Sequence, residues 1–162
     1  MPRLARAFFA RESVSVARDL IGARLLVAEP GAPRLEGVIV ETEAYLNLMT
    51  EDAGIGAAVL LRALRPVIGL ETMRRSRGAS RPLPDAALCR GPGNLCRALG
   101  IDRAWDGRDL CASDAALRLY APSESLTIGV SRRIGVSGDA VAREALWRFF
   151  ALGEAAVSRH PG

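Results

Sequence analysis

The sequence predicts an α+β fold: a single compact domain, residues 1–162, around a mainly antiparallel, curved β-sheet with flanking helices. Three observations lead there. Short apolar runs such as Gly37-Val38-Ile39-Val40 read as strands. Stretches with helical spacing are few and brief. The two kinds of segment do not alternate regularly, which disfavours a parallel βαβ sheet. The length of 162 residues suits one domain with room for a real core.

Taken in order, Ser13 or Ser15 can cap a short helix over 16–20, with Gly22 at its C-terminal stop. Arg24-Leu25-Leu26-Val27 reads as a strand, Glu29-Pro30-Gly31-Ala32-Pro33 as a turn, and 35–43 as the return strand, which together make a β-hairpin. The apolar run 57–64 reads as a central strand that Pro66 interrupts. Residues 70–77 have helical spacing, with Leu70 and Met73 on one side. Residues 78–92, rich in Gly, Pro, Ser and Arg, read as a long loop. Gly91-Pro92-Gly93-Asn94 then opens a helix over 95–99, closed by Gly100. Three further strands are expected at 117–120, 126–130 and 146–150.

Composition narrows the chemistry. The net charge of +4 and pI of about 9.6 are compatible with a polyanionic partner, and equally with a mildly basic soluble protein. All 22 basic residues are Arg, so no side-chain amine can form a Schiff base. Cys89, Cys96 and Cys111 include no CxxC pair, which argues for free thiols over a disulfide framework or a zinc site. His160, the only histidine, sits near the C-terminal end, a poor place for a general base or a metal ligand. Acid–base work therefore falls mainly to carboxylates. No apolar stretch is long enough to span a bilayer, and the apolar part of the N-terminus is too short for a signal peptide. A cytoplasmic protein is expected.

The candidate constellation is Glu41-Thr42-Glu43-Ala44-Tyr45. Side chains alternate along a strand, so Glu41, Glu43 and Tyr45 share a face if the strand persists. A carboxylate there can activate a water, and the ring can stack on a planar group such as a base. The same pattern also suits a solvated strand edge. Arg62, at the end of an apolar run, must be paired or face a polar cavity, because a lone buried charge is costly. Asn47 fits a turn as well as a site. The cluster Arg62, Arg65, Arg74, Arg75, Arg77 and Arg81 can track a phosphate backbone or simply coat a solvated surface. The backbone N–H groups after Gly91-Pro92-Gly93 are a weaker phosphate candidate.

These residues resemble the alkylpurine (3-methyladenine) DNA glycosylases of the human and bacterial AAG type. The matching text runs in order through Ala17-Arg18-Asp19-Leu20-Ile21-Gly22, Gly37 to Tyr45, Val59-Leu60-Leu61-Arg62-Ala63-Leu64, Gly69-Leu70-Glu71-Thr72-Met73-Arg74, Leu88 to Cys96, Arg133-Ile134-Gly135-Val136 and Leu146-Trp147-Arg148-Phe149-Phe150. The resemblance implies a single α+β domain, monomeric and without a cofactor or metal, acting on double-stranded DNA that carries a damaged purine. It implies that the base is flipped out and its N-glycosidic bond hydrolysed. Residue by residue, it implies Glu43 as general base, Arg62 and the Val136 carbonyl as contacts to the catalytic water, Tyr45 as the ring that stacks on the base, and Asn47 as a purine-discriminating group. In the family, several dozen residues separate the Tyr45 motif from Asn47, and they bring an intercalating tyrosine, a histidine and a second aromatic. Here that stretch is missing between Leu46 and Asn47. Two rival readings stay open: a catalytically silent DNA-binding homologue, and a small-molecule hydrolase reusing the Glu43 pocket.

Overall fold

The strand carrying the acidic motif is the axis of the molecule. In the computed structural model, which describes residues 1–47, 56–136 and 140–158, β2 (Leu35–Asn47) pairs with β3 (Gly56–Ile68) along one edge. Its other edge is shared. β1 (Arg24–Val27) pairs with the first part of β2, and β6 (Arg148–Ala151) with Glu41-Thr42-Glu43. Outside these lie β4 (Leu117–Tyr120), on β1, and β5 (Ile128–Ser131), on β6. Every ladder is antiparallel and the six strands form one sheet. The α+β expectation and the hairpin of β1 with β2 are both met.

The apolar run of β2 follows from its surroundings. Val38, Ile39 and Val40 are wholly buried, because the strand is covered on both faces. Helix α2 (Ser13–Asp19) packs on one of them, where the Thr42 hydroxyl donates to the Ala17 carbonyl at 2.7 Å. The pairing register of β2 slips around Glu41, between Ile39 and Thr42, where its edge passes from β1 to β6. Bulges of this kind re-aim side chains and are common beside active sites.

Two strand expectations are corrected. The run at 57–64 belongs to a longer strand, Gly56–Ile68, whose only strand partner among the described residues is β2, with one isolated bridge from Ala63 to Arg90 on its outer edge, rather than sitting in the middle of the sheet. Pro66 does not end it. It lies opposite Gly37, beside a register shift, on an edge strand, where a residue without an N–H is tolerated. The expected cap of α2 also differs. Ser13 is the first helical residue rather than the cap, and its buried hydroxyl has no partner among the described residues.

Helix α3 spans Leu70–Arg77, as the spacing predicts, and buries Met73 against Cys89. Gly69 before it is required twice over: its φ is +85°, and a Cβ there would lie 2.4 Å from the Leu35 side chain. Helix α4 (Pro92–Leu99) starts on the proline, earlier than expected, and closes on Gly100 in the left-handed region. The 78–92 loop contains a single 3₁₀ turn, Asp85–Ala87. The short helices α1 (Arg6–Phe9) and α5 (Ala140–Glu144) had no counterpart in the sequence reading. Among the described residues no helix is long and apolar enough to cross a membrane. His160 lies outside them.

Candidate active site on the β2 strand

The face of β2 opposite Thr42 carries two buried carboxylates joined by one arginine. Glu41 and Glu43 are both wholly buried, and Arg62 reaches across from β3 to hold them. Its Nε donates to Glu41 Oε1 at 3.1 Å and its Nη1 to Glu43 Oε2 at 3.2 Å. Arg62 therefore lies mid-strand and paired with two carboxylates, which accounts for a charge in so apolar a run.

The two carboxylates differ in what else they accept. Glu41 takes four donors: Arg62 Nε, Arg148 Nε at 2.8 Å, the Ser158 hydroxyl at 2.7 Å and the Ser158 N–H at 2.7 Å. Three of these converge on Oε1, and among the described residues Oε2 accepts only the Ser158 N–H. Glu43 takes three: Arg62 Nη1, the Tyr45 hydroxyl at 2.8 Å and the Ile134 N–H at 2.7 Å. Among the described residues Ile134 is the sole donor to Glu43 Oε1, which leaves a lone pair on that oxygen. Glu41 is clamped by two guanidiniums and both donors of Ser158, whereas Glu43 is held by one guanidinium, one hydroxyl and one N–H.

Tyr45 is half-buried beside Glu43. Burial first, and then the bond to the Glu43 carboxylate, push its hydroxyl above the ordinary 10.0, so it remains a donor at neutral pH. The Arg133 guanidinium lies 4.6 Å from the Tyr45 ring centre and 5.0 Å from that of Trp147. Arg133 also donates to the carbonyls of Ala44 and Ala142. The loop after β5 thus reaches the site twice, through Arg133 and through Ile134.

The structure therefore brings together Glu41, Glu43, Tyr45 and Arg62 from the sequence reading. Val136 is half-buried in the same loop, two residues beyond Ile134 and just past Gly135, whose φ is +71°. The backbone of Leu46 and Asn47 continues β2, opposite Ala57 and Gly56, while the Asn47 side chain lies outside what is described. Ser158, Ile134 and the inward role of Arg148 were missed. Two of these act through backbone N–H groups, which leave no trace in a side-chain pattern.

The other arginine candidates are largely used up within the fold. Arg65 pairs with Glu124 and Glu154, Arg74 with Glu71 and Asp85, and Arg77 donates to the carbonyls of Ala87 and Leu88. Among the described residues no group of His, Cys, Asp and Glu could hold a metal ion. Cys89 is buried and its thiol pushed up to about 12 by that burial, while Cys96 and Cys111 are half-buried and free.

The family described as methylpurine-DNA glycosylase (MPG) matches this chain over residues 7–47 and 45–155. The chain belongs to the methylpurine-DNA glycosylase family. Its relatives in that family include the human DNA-3-methyladenine glycosylase, 36% identical over 98% of this chain and 68% of the human one. The mouse DNA-3-methyladenine glycosylase is 34% identical over 96% of this chain and 61% of its own length. A protein of Rhodopseudomonas palustris (strain BisB18), which its name provisionally calls a 3-methyladenine DNA glycosylase, is 39% identical over 98% and 92%. These alignments run over 207, 203 and 198 positions, more than the 162 residues of this methylpurine-DNA glycosylase homologue. The two stretches of the family match meet at 45–47, where the sequence departs from the family pattern.

Proposed function

We propose that this protein is a monofunctional DNA glycosylase that flips alkylated or deaminated purines out of duplex DNA and hydrolyses their N-glycosidic bond. The observation that carries the reading is Glu43: a buried carboxylate with three donors and one lone pair still free on Oε1. The names of the relatives support DNA glycosylase activity.

The chemistry follows from that carboxylate. A water on Glu43 Oε1 gives up its proton as its oxygen bonds to C1′ of the sugar. The C1′–N bond breaks and its electron pair leaves with the purine. The transition state is oxocarbenium-like, and anionic Glu43 stabilises it while acting as general base. Arg62 and Tyr45 fix the Oε2 side of the group, and the Ile134 N–H orients Oε1. In this reading the Val136 carbonyl is a second contact to the water, Tyr45 stacks on the extruded base and Asn47 screens its edge. The chain has no lysine, so no lysine imine can cleave the strand, and the product is an abasic site. Double-stranded DNA is the partner, the cytoplasm the place of action and the monomer the working form.

Incubation with a duplex oligonucleotide carrying ethenoadenine or hypoxanthine tests this. The expected outcome is strand scission only after hot alkali. Intact strands after alkali, where the human relative cuts, would sink the proposal. One observation favours a second reading, a silent DNA-binding homologue: the family match breaks at 45–47, just where base-holding groups are expected. That reading predicts salt-dependent duplex binding, no excision, and no change in binding on Glu43→Gln.

A further inference from the structure

Glu41 is buried at 0% exposure and accepts four hydrogen bonds, one more than Glu43. Its surroundings are unusually complete. Arg148, 2% exposed, donates to it from β6 and is itself fixed by Ser131 Oγ at 3.1 Å and by the Phe150 ring at 4.6 Å. Ser158, far along the chain, closes on it with both its N–H and its hydroxyl. The C-terminal segment is held there by further ties, Arg90 to the Ala155 carbonyl and Arg65 to Glu154.

Charge explains why such a cluster holds. Glu41 and Glu43 are two anions in one desolvated space, and Arg62 alone supplies one positive charge. Arg148 supplies the second, so four buried charges sum to zero. Arg62 is also divided. Glu41 takes its Nε, and Glu43 its Nη1 alone. Without Glu41 the guanidinium would be free to turn its fork fully onto Glu43, where a two-pronged pair is the stronger arrangement. That would cover the lone pair which water needs.

We propose that Glu41 is a positioning residue: pinned by Arg148 and Ser158, it holds Arg62 in an orientation that steadies Glu43 without covering it. This rests on the glycosylase reading for its effect on rate, but not for the linkage itself. A double-mutant cycle separates the two. Glu41→Gln is expected to lower the single-turnover excision rate about 10- to 100-fold with little change in DNA affinity. In an Arg62→Met background the same change is expected to cost no more than about twofold, because its intermediary is gone. Full additivity, or a folded Glu41→Gln protein with wild-type rate, would overturn the proposal.

Ser158→Ala removes one donor from the partly buried end of the cluster and guards against a misfolded Glu41 variant. A several-fold loss of rate is expected, again absent in the Arg62→Met background. The Arg62 Nε–H resonance of the DNA-free protein supplies a readout independent of catalysis. It is expected to be slow to exchange in the wild type and to shift in both Glu41→Gln and Ser158→Ala. An unmoved resonance refutes the linkage even if the enzyme is active. A moved one, in a protein that excises nothing, upholds the linkage and removes the glycosylase reading.

Discussion

Glu36 and Glu43 lie on the same strand, are 4% and 0% exposed, and each sits against arginine. Glu36 accepts from Arg24 and Arg34, both of which reach solvent, Arg34 with more than half its side chain. Glu43 accepts from a guanidinium that is itself buried, a tyrosine hydroxyl and a backbone N–H. The first is a structural ion pair, capped by flexible surface cations. The second is held by groups that cannot move away. Burial beside arginine therefore does not mark a site. The rigidity of the donors does.

The largest expected contrast is in rate. Glu43→Gln keeps the shape but removes the base, and excision should fall by about 10²- to 10⁴-fold, the usual worth of a general base. Glu36→Gln should leave the rate unchanged. Single-turnover assays on one damaged duplex decide this, and equal losses would erase the distinction between the two carboxylates.

The next contrast is in stability. Arg62→Ala strands two buried carboxylates and should cost about 3–5 kcal/mol. Arg34→Ala removes an exposed partner and should cost no more than about 1 kcal/mol. Urea midpoints measure both. A small loss at Arg62 would mean that water or a neighbour replaces it.

Much of this was legible before the fold was known, and what was not has physical causes. The apolar run 37–40 announced β2, and period-two alternation correctly set Glu41, Glu43 and Tyr45 on one face despite the bulges at Glu41. Pro66 misled, because its meaning depends on whether a strand is at an edge, which pairing alone decides. Only the family resemblance picked Glu43; in the local pattern the difference between Glu41 and Glu43 was invisible. It is made by Arg148, Ile134 and Ser158, which lie about a hundred residues away in sequence. Such long-range donors follow from topology, not from local pattern.

A smaller effect probes the donors around Glu43 one at a time. Tyr45→Phe keeps the ring, and with it the Arg133 contact, but removes the hydroxyl that fixes Oε2. A hydrogen bond to a charged group is worth about 1.5 kcal/mol, so excision should drop roughly tenfold. Tyr45→Ala should lose more, since a stacked ring adds about 1–3 kcal/mol per base. Equal effects of the two would show that the ring itself does nothing, and that only the hydroxyl belongs to the site.

The smallest effect belongs to Glu36, and its sign separates charge from packing. Burial raises the Glu36 carboxyl, but the hydrogen bonds and charges of Arg24 and Arg34 outweigh it, and the net shift is below the ordinary 4.5. A folded-state value depressed in this way stabilises the protein above the unfolded value. The gain disappears as pH falls below about 4.5 and through the folded value. The wild type should therefore exceed Glu36→Gln by about 1 kcal/mol at pH 7, and the gap should be smaller at about pH 3. Urea titrations at the two pH values measure it. A difference that persists undiminished in acid would make Glu36 a packing residue. The contrast with Glu43 would then rest on shape as much as on charge.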